Sequence, residues 1–390
     1  MAAGESPDPI VVVHSFPVWL PLTQTWMYNQ VTYLPSSVDA HVACLSTQNL
    51  DQFGLSRIHS LSDQPLWRQL WEKGIRRLRR QHHSRWLERV VERTHAEIIH
   101  SHFGDIGWAD AGTAKSAASR HVVTFYGYEV NYLPCHDPVW RGRYRELFAS
   151  VDRVLCEGPH MARCVTAMGC PESKIRVHHL GVPLDRIPYR PRRWIPTEPL
   201  RILIAASFQE KKGIPDAIEA TARLRADVPL EITVIGDANA EPRSQAEKRK
   251  ILETIERCAM SASVRLLGYQ PYARLMEECY RHHLFLHPSL TSADGDTEGG
   301  APVTLIEMAA SGMPVVSTAH CDIPEVILHG TTGLLAQERD VDGLVAQLRH
   351  LIETPDCWGD LVMAARLRLE QEYDAAKQGS RLAAIYSELV

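Results

Sequence analysis

Residues 287–318 read H-P-S-L-T-S-A-D-G-D-T-E-G-G-A-P-V-T-L-I-E-M-A-A-S-G-M-P-V-V-S-T. Just before them, Leu284, Phe285 and Leu286 form an apolar run that Pro288 stops, which predicts the end of a buried strand. A polar loop follows, with Asp294, Asp296, Glu298 and three glycines. Pro302 stands where a helix is expected to begin, a position at which its missing N–H costs nothing. Val303, Leu305, Ile306, Met308 and Ala309 supply a buried helical face, and Gly312 and Pro314 end it. Val315 and Val316 then open another buried strand. Strand, loop, helix and strand in this order make one repeat of a parallel α/β sheet.

The same stretch makes an anion site. The first turn of a helix has N–H groups without partners, and its dipole favours negative charge there. Gly299 and Gly300 permit close approach to the backbone, and Ala301, Pro302 and Val303 form the mouth. Glu298 before the helix and Glu307 in its second turn suit a ligand that joins a diphosphate to several hydroxyls. A plain strand-loop-helix with a flexible loop is the alternative. The motif resembles the acidic donor-site pattern D-G-D-x-E-G-x-P-V-x-L-x-E-A-M-A-x-G-x-P-V-V-S-T of retaining glycosyltransferases of family 4, the glycogen-synthase-like transferases, in their bacterial exopolysaccharide (colanic-acid-type) branch. That family separates its two glutamates by seven residues, and here eight intervene, Gly299 to Ile306. Counted from Pro302, Glu307 matches the second glutamate, and one residue is inserted between Glu298 and Pro302.

At 390 residues the chain is expected to form about two domains, and a hydrophobic content of 45% is ample for two cores. A net charge of −5 gives no nucleic-acid signature. The sequence has no run of 18 apolar residues that could span a bilayer, and Met1 to Pro9 is too polar for a signal peptide. Nine cysteines without C-x-x-C or zinc spacing read as reduced, which predicts a cytoplasmic protein. The resemblance implies a GT-B architecture, two doubly wound Rossmann-like domains facing across a cleft. Residues 1–190 would bind the acceptor and 199–372 the donor, and a helix at 373–390 would return to the first domain.

In the first half, Ile10 to Val13 reads as a short buried strand. No glycine occurs between Gly4 and Gly54, which argues against a nicotinamide G-x-G-x-x-G site. Thr23-Gln24-Thr25-Trp26 resembles the branch's S-E-T-F, which implies that Thr25 lies on the acceptor side; an N-cap by Thr23 or Thr25 is the other reading. Trp67 to Arg93 holds nine Lys or Arg against three Glu, with Trp67, Trp71, Ile75, Leu78, Trp86, Leu87 and Val90 at roughly helical spacing. Such a basic amphipathic helix suits an anionic membrane surface, or it is a solvated helix whose arginines cover apolar neighbours. His100-Ser101-His102-Phe103 and Tyr126-Gly127-Tyr128-Glu129 follow strands, where parallel sheets bind ligands. They resemble the family's H-x-H-F and F-[HY]-G-x-D segments, which implies His102, Gly127 and Glu129 near the sugars. A satisfied strand-end histidine is the alternative for His102. Tyr189 to Pro199, with three prolines and three arginines, reads as an interdomain linker and hinge.

The second half opens with a strand at Arg201–Ala206, followed by Gln209-Glu210-Lys211-Lys212-Gly213. Lys212 and Gly213 match the family's G-R-L-x-x-x-K-G, which implies that Lys212 neutralises the leaving diphosphate; a solvated loop lysine is the alternative. Ser207 stands in place of the family's arginine, and Lys211 is a candidate to compensate. The turn at Gly236-Asp237 and the backbone around Tyr269 are implied to meet the donor. His282 and His283 read as structural. The expected protein is a metal-independent retaining glycosyltransferase using a UDP- or GDP-sugar and a saccharide or polyprenyl-linked acceptor, without a cofactor. A sugar-nucleotide epimerase and a non-catalytic nucleotide-sugar binder or partner subunit are the competing readings.

Overall fold

The computed structural model describes residues 8–21, 24, 26–79 and 85–390, the side chains at 73 and 75–79 excepted. The chain divides into two compact units, Met1–Gly181 with Ala375–Val390 and Val182–Asp374.

Unit 1 is built on β1 (Ile10–Trp19), β2 (Val38–Thr47), β3 (Ile58–Ser60), β4 (Ile98–His102), β5 (Arg120–Phe125), β6 (Arg153–Cys156) and β7 (Ile175–Val177). They pair in parallel in the order β3-β2-β1-β4-β5-β6-β7. The central strands read as continuous apolar runs because helices cover both faces of such a sheet. Its helices are α1 (Trp26–Thr32), α2 (Leu66–Arg79), α3 (Arg85–Thr94), α4 (Gly104–Ala117), α5 (Leu133–His136), α6 (Val139–Ser150) and α7 (Pro159–Ala167). Strand β1 runs to Trp19, six residues beyond the expected end at Val13. Beyond Ser15 it is bonded only to β2, and the register steps from Phe16↔Cys44 to Val18↔Ser46, so Pro17 is tolerated where it owes no hydrogen bond.

The basic segment is two helices rather than one, with residues 80–84 outside those described. Trp86, Leu87, Val90 and Val91 of α3 are core, packed with Val13, Ala43, Ile99 and Ala114. Helix α2 is the part that exposes apolar surface: Leu66 is 75%, Trp67 65%, Leu70 65% and Trp71 56% exposed.

Unit 2 repeats the plan with β8 (Leu200–Ala205), β9 (Leu230–Ile235), β10 (Val264–Leu266), β11 (Leu284–His287), β12 (Val315–Thr318) and β13 (Leu334–Ala336), in the order β10-β9-β8-β11-β12-β13. Around it lie α8 (Ile214–Ala222), α9 (Pro242–Arg257), α10 (Tyr272–Arg281), α11 (Val303–Ala310), α12 (Ile323–Val326), α13 (Val341–Glu353) and α14 (Trp358–Glu372). The stretch expected to be a hinge, 189–199, is instead strapped to this unit. Arg190 and Arg192 donate their backbone N–H to the carbonyls of Ser311 and Gly312. The buried Arg192 guanidinium also donates to the carbonyls of His282, Cys279 and Ser311. The chain therefore changes unit at Gly181/Val182, before the proline-rich run.

Helix α15 (Ala375–Ser387) belongs to unit 1. Leu382, Ile385 and Tyr386 pack with Val12, Ile98, Val122 and Leu155. Gly379 meets the end of α1 so closely that a β-carbon would lie 2.0 Å from the Tyr33 carbonyl oxygen.

Candidate functional site

In unit 2 the carboxyl ends of β8, β9 and β11 gather the predicted donor residues. Lys212 ends a short 3-10 turn, Glu210–Lys212, after β8. Gly213 follows at φ 60, where a β-carbon would meet the Pro288 carbonyl oxygen at 1.9 Å. Only glycine satisfies both demands, and the β8 loop is thereby pressed onto the β11 loop. Gly236 does the same after β9, with φ 131 and a virtual β-carbon 1.8 Å from the Ala206 oxygen, next to Ser207. Its N–H donates to Gly268 at 2.9 Å, which holds the turn that carries the half-buried Tyr269.

The loop from Pro288 to Pro302 brings Glu298 to Lys212. Lys212 Nζ donates to Glu298 Oε2 at 2.6 Å, and the Ser289 hydroxyl donates to Oε1 at 2.8 Å. Burial pushes the Glu298 carboxyl up, but Lys212, Lys211 and His287 outweigh it and bring its pKa down to about 2. Glu298 is thus a carboxylate at any working pH. Lys211, the candidate to stand in for the missing arginine, is committed elsewhere: its Nζ donates to Asp296 Oδ1 at 3.0 Å and to the Thr297 carbonyl at 2.9 Å. It ties down the loop.

Helix α11 begins at Val303 with Pro302 as its N-cap, one position after the expected Pro302 start, and no side chain caps it. Gly299 and Gly300 are buried, while Ala301, Val303 and Thr304 keep surface at the mouth. Glu307 lies one turn inside and is buried. The Tyr272 hydroxyl of α10 donates to its Oε1 at 2.9 Å. Burial raises its pKa to about 7, with the Tyr272 hydrogen bond pulling the other way. One carboxylate fixed by a lysine, a second held deeper by a tyrosine, and an uncapped helix start between them are groups whose chemistry suits a diphosphate and adjoining hydroxyls.

The candidates in unit 1 are differently placed. Thr25 and Thr23 lie outside the described residues. His102 has no accessible surface. Its ring stacks on Phe16 at 3.9 Å, and its nitrogens bond to His14 Nδ1 at 3.0 Å and the Tyr126 hydroxyl at 2.6 Å. The expectation that it meets a sugar is corrected: it is a satisfied member of a buried stack. Glu129 is likewise fully buried; it accepts the Tyr126 N–H at 2.7 Å and braces the turn at Gly127, which has φ 129. Burial raises its pKa to about 7. Among the described residues His14, His100 and His102 are the one trio whose nitrogens come within 4.8 Å of one another. The rings of His100 and His102 lie face to face, 4.3 Å apart at 26°, so their lone pairs run side by side rather than converge. His100 is satisfied by the Tyr386 and Thr124 hydroxyls, both at 2.6 Å. The trio is a hydrogen-bonded stack.

Tyr272, Ser289 and His320 bond directly to Glu307 or Glu298, His287 and Glu338 back Ser289 and His320, and sequence reasoning singled out none of the five. His287 and Ser289 lie inside the quoted motif, and a polar residue ending a buried strand was their signal. Tyr272, His320 and Glu338 come from separate segments, and no spacing rule joins them to Glu298 or Glu307.

Comparison with known proteins shows the family and the fold. Residues 185–368 match the family described as glycosyl transferases group 1, and residues 23–186 match glycosyltransferase family 4. The amylovoran biosynthesis glycosyltransferase AmsK of Erwinia amylovora is 34% identical over 300 residues, covering 75% of this chain and 70% of its own. WcaL of Escherichia coli K12, whose name ties it to colanic acid biosynthesis, is 31% identical over 75% of this chain and 71% of its own. In fold, the chain is similar to Anabaena HepE, crystallised with UDP-glucose, at TM-score 0.76 and 16% identity, covering 97% of this chain and 100% of that one. With two parallel α/β sheets, the acidic motif at the α11 mouth, and relatives of this identity over most of its length, the chain belongs to the family 4 glycosyltransferases of GT-B fold.

Proposed function

We propose that the protein transfers a sugar, with retention and without a metal, from a nucleoside-diphosphate sugar (UDP or GDP) to a saccharide or polyprenyl-linked acceptor in exopolysaccharide assembly. The observation that carries this reading is the Lys212–Glu298 pair at 2.6 Å beside the uncapped start of α11, with Glu307 a turn inside. Charge grows on the departing diphosphate as the glycosidic bond breaks. Lys212 and the amides at the mouth of α11 are fixed before that charge appears, so they stabilise it without reorganising. Glu307 accepts hydroxyls of the pentose, and Glu298 positions the sugar. The complexes of HepE with UDP and UDP-glucose support a nucleotide-sugar donor, and the names of AmsK and WcaL support a polysaccharide product.

The test is nucleotide release from UDP-glucose and GDP-mannose by purified protein. Glu307→Ala and Lys212→Ala are each expected to lower turnover at least about tenfold; wild-type rates in both remove the site. Contact with an anionic membrane belongs to the same reading, supported by the exposed Leu66, Trp67, Leu70 and Trp71 on the basic α2. Flotation with phosphatidylglycerol vesicles is expected to carry wild-type protein up and to leave Trp67→Ser/Trp71→Ser behind. No flotation of wild type at low salt removes it. Among the described residues no helix is long and apolar enough to cross a membrane.

A further inference from the structure

We propose that His320 and Glu338 form a dyad that positions Glu298 through its backbone, making His320 a positioning residue for glycosyl transfer. The inference rests on the reading of Glu298 as the carboxylate that meets the donor sugar. His320 follows β12 and its side chain is 1% exposed. Its Nδ1 lies 2.7 Å from Glu338 Oε1, and its Nε2 lies 3.1 Å from the Glu298 backbone nitrogen. A backbone N–H only donates, so Nε2 is the acceptor; Nδ1 then carries the proton and gives it to the carboxylate. The thiol of Cys321 also lies against Nε2, at 3.1 Å. Burial raises that thiol to about 12, so it stays protonated and is a second donor to the same lone pair. The tautomer is therefore dictated from both ends.

Glu338 does further work. Its Oε2 accepts the Thr291 N–H at 2.7 Å, so one carboxylate holds the start of the 288–302 loop directly and its later part through His320. The side chain of Glu298 is fixed by Lys212 and Ser289, and its main chain by His320. This loop carries one residue more than the family spacing. Side-chain contacts alone leave a lengthened loop free to slide, and the dyad sets where the extra residue is absorbed. Misplacement of a reacting group by about 1 Å costs on the order of a hundredfold in rate.

The test uses two isosteric halves of histidine. His320→Asn keeps a donor for Glu338 and loses the acceptor for Glu298; His320→Gln keeps an acceptor at the Nε2 position. Nucleotide release from UDP-glucose and GDP-mannose is measured beside the melting temperature. The expected result is kcat down at least about tenfold in His320→Asn with donor KM within about threefold, and recovery of most of that loss in His320→Gln. Rates that follow melting temperature in both variants, with no difference between Asn and Gln, overturn the proposal. The second measurement is the 15N spectrum of the His320 ring in the wild-type protein, assigned by its loss in His320→Asn. A protonated Nδ1 with a bare Nε2 is expected, the tautomer that a free histidine side chain in water disfavours, and a protonated Nε2 overturns the dyad. Absence of turnover with both donors in wild type counts against the reading of the site; the tautomer decides the dyad by itself.

Discussion

Burial lifts the Glu307 carboxyl to about 7, while the neighbouring Glu298 is driven to about 2 by its lysines. Two carboxylates in one site thus titrate far apart, and only Glu307 changes charge near neutrality. A ribose hydroxyl bonds more strongly to a carboxylate than to a carboxylic acid. Affinity for UDP or GDP is therefore expected to rise as pH increases through about 7, and Tyr272→Phe is expected to move that inflection upward, because the tyrosine hydroxyl holds the pKa down. Calorimetric titration of nucleotide from pH 6 to 8.5 checks this; an affinity flat in pH contradicts it. For stability the sign is opposite. A carboxyl raised in the fold stabilises fully below its unfolded value of 4.5, and that contribution is lost as pH rises through 7. Glu307→Gln is expected to flatten this loss. Glu298, Lys212 and Glu307 were legible because two contiguous motifs carry them. His102 was misread because a strand-end polar residue looks the same in sequence whether it faces a ligand or a buried hydroxyl, here that of Tyr126.

Among the elements, the loops after β8 and β11 are one mechanical piece. Gly213→Ala places a methyl on the Pro288 carbonyl at a left-handed φ, so a loss of about 1–3 kcal/mol in denaturant unfolding is expected, with weakened nucleotide binding. Stability unchanged by this substitution contradicts the close approach. The alternation of strands and helices was readable throughout unit 2, where apolar runs and glycine–proline stops coincide. It failed in two places for physical reasons. Strand β1 continues past its last β-branched run because its outer stretch needs only one neighbour. The tryptophans of 67–93 serve two ends: those of α2 face solvent, and Trp86 of α3 is core. Helical spacing alone does not say which.

Over the whole molecule, buried and half-buried histidines are unevenly shared. In unit 1, burial lowers His14 to about 3 and His59, His121 and His178 to about 4, and holds His41, His100 and His102 down as well. In unit 2 the same holds for His282, His283 and His287. A histidine kept neutral in the fold contributes stability that is full above 6.5 and drains as pH falls toward its folded pKa, since the unfolded chain takes the proton first. A buried group lowered to about 4 is worth on the order of 3 kcal/mol at the acid end. Unit 1 is expected to open before unit 2 on acidification from pH 6.5 to 4.5. Hydrogen exchange resolved by peptide checks it, and simultaneous opening of both units contradicts it.

Helix α15 has a consequence for how the chain comes into being. The pocket in unit 1 that takes Leu382 and Tyr386 is made early in translation, yet its filling emerges only after the 193 residues of Val182–Asp374 have been made. At ordinary elongation rates that is a wait of roughly 10–40 s. For that interval the nascent amino-terminal half stands with an open apolar seam on the ribosome, a natural client for a chaperone, while the second half, whose own residues are contiguous, is able to close first.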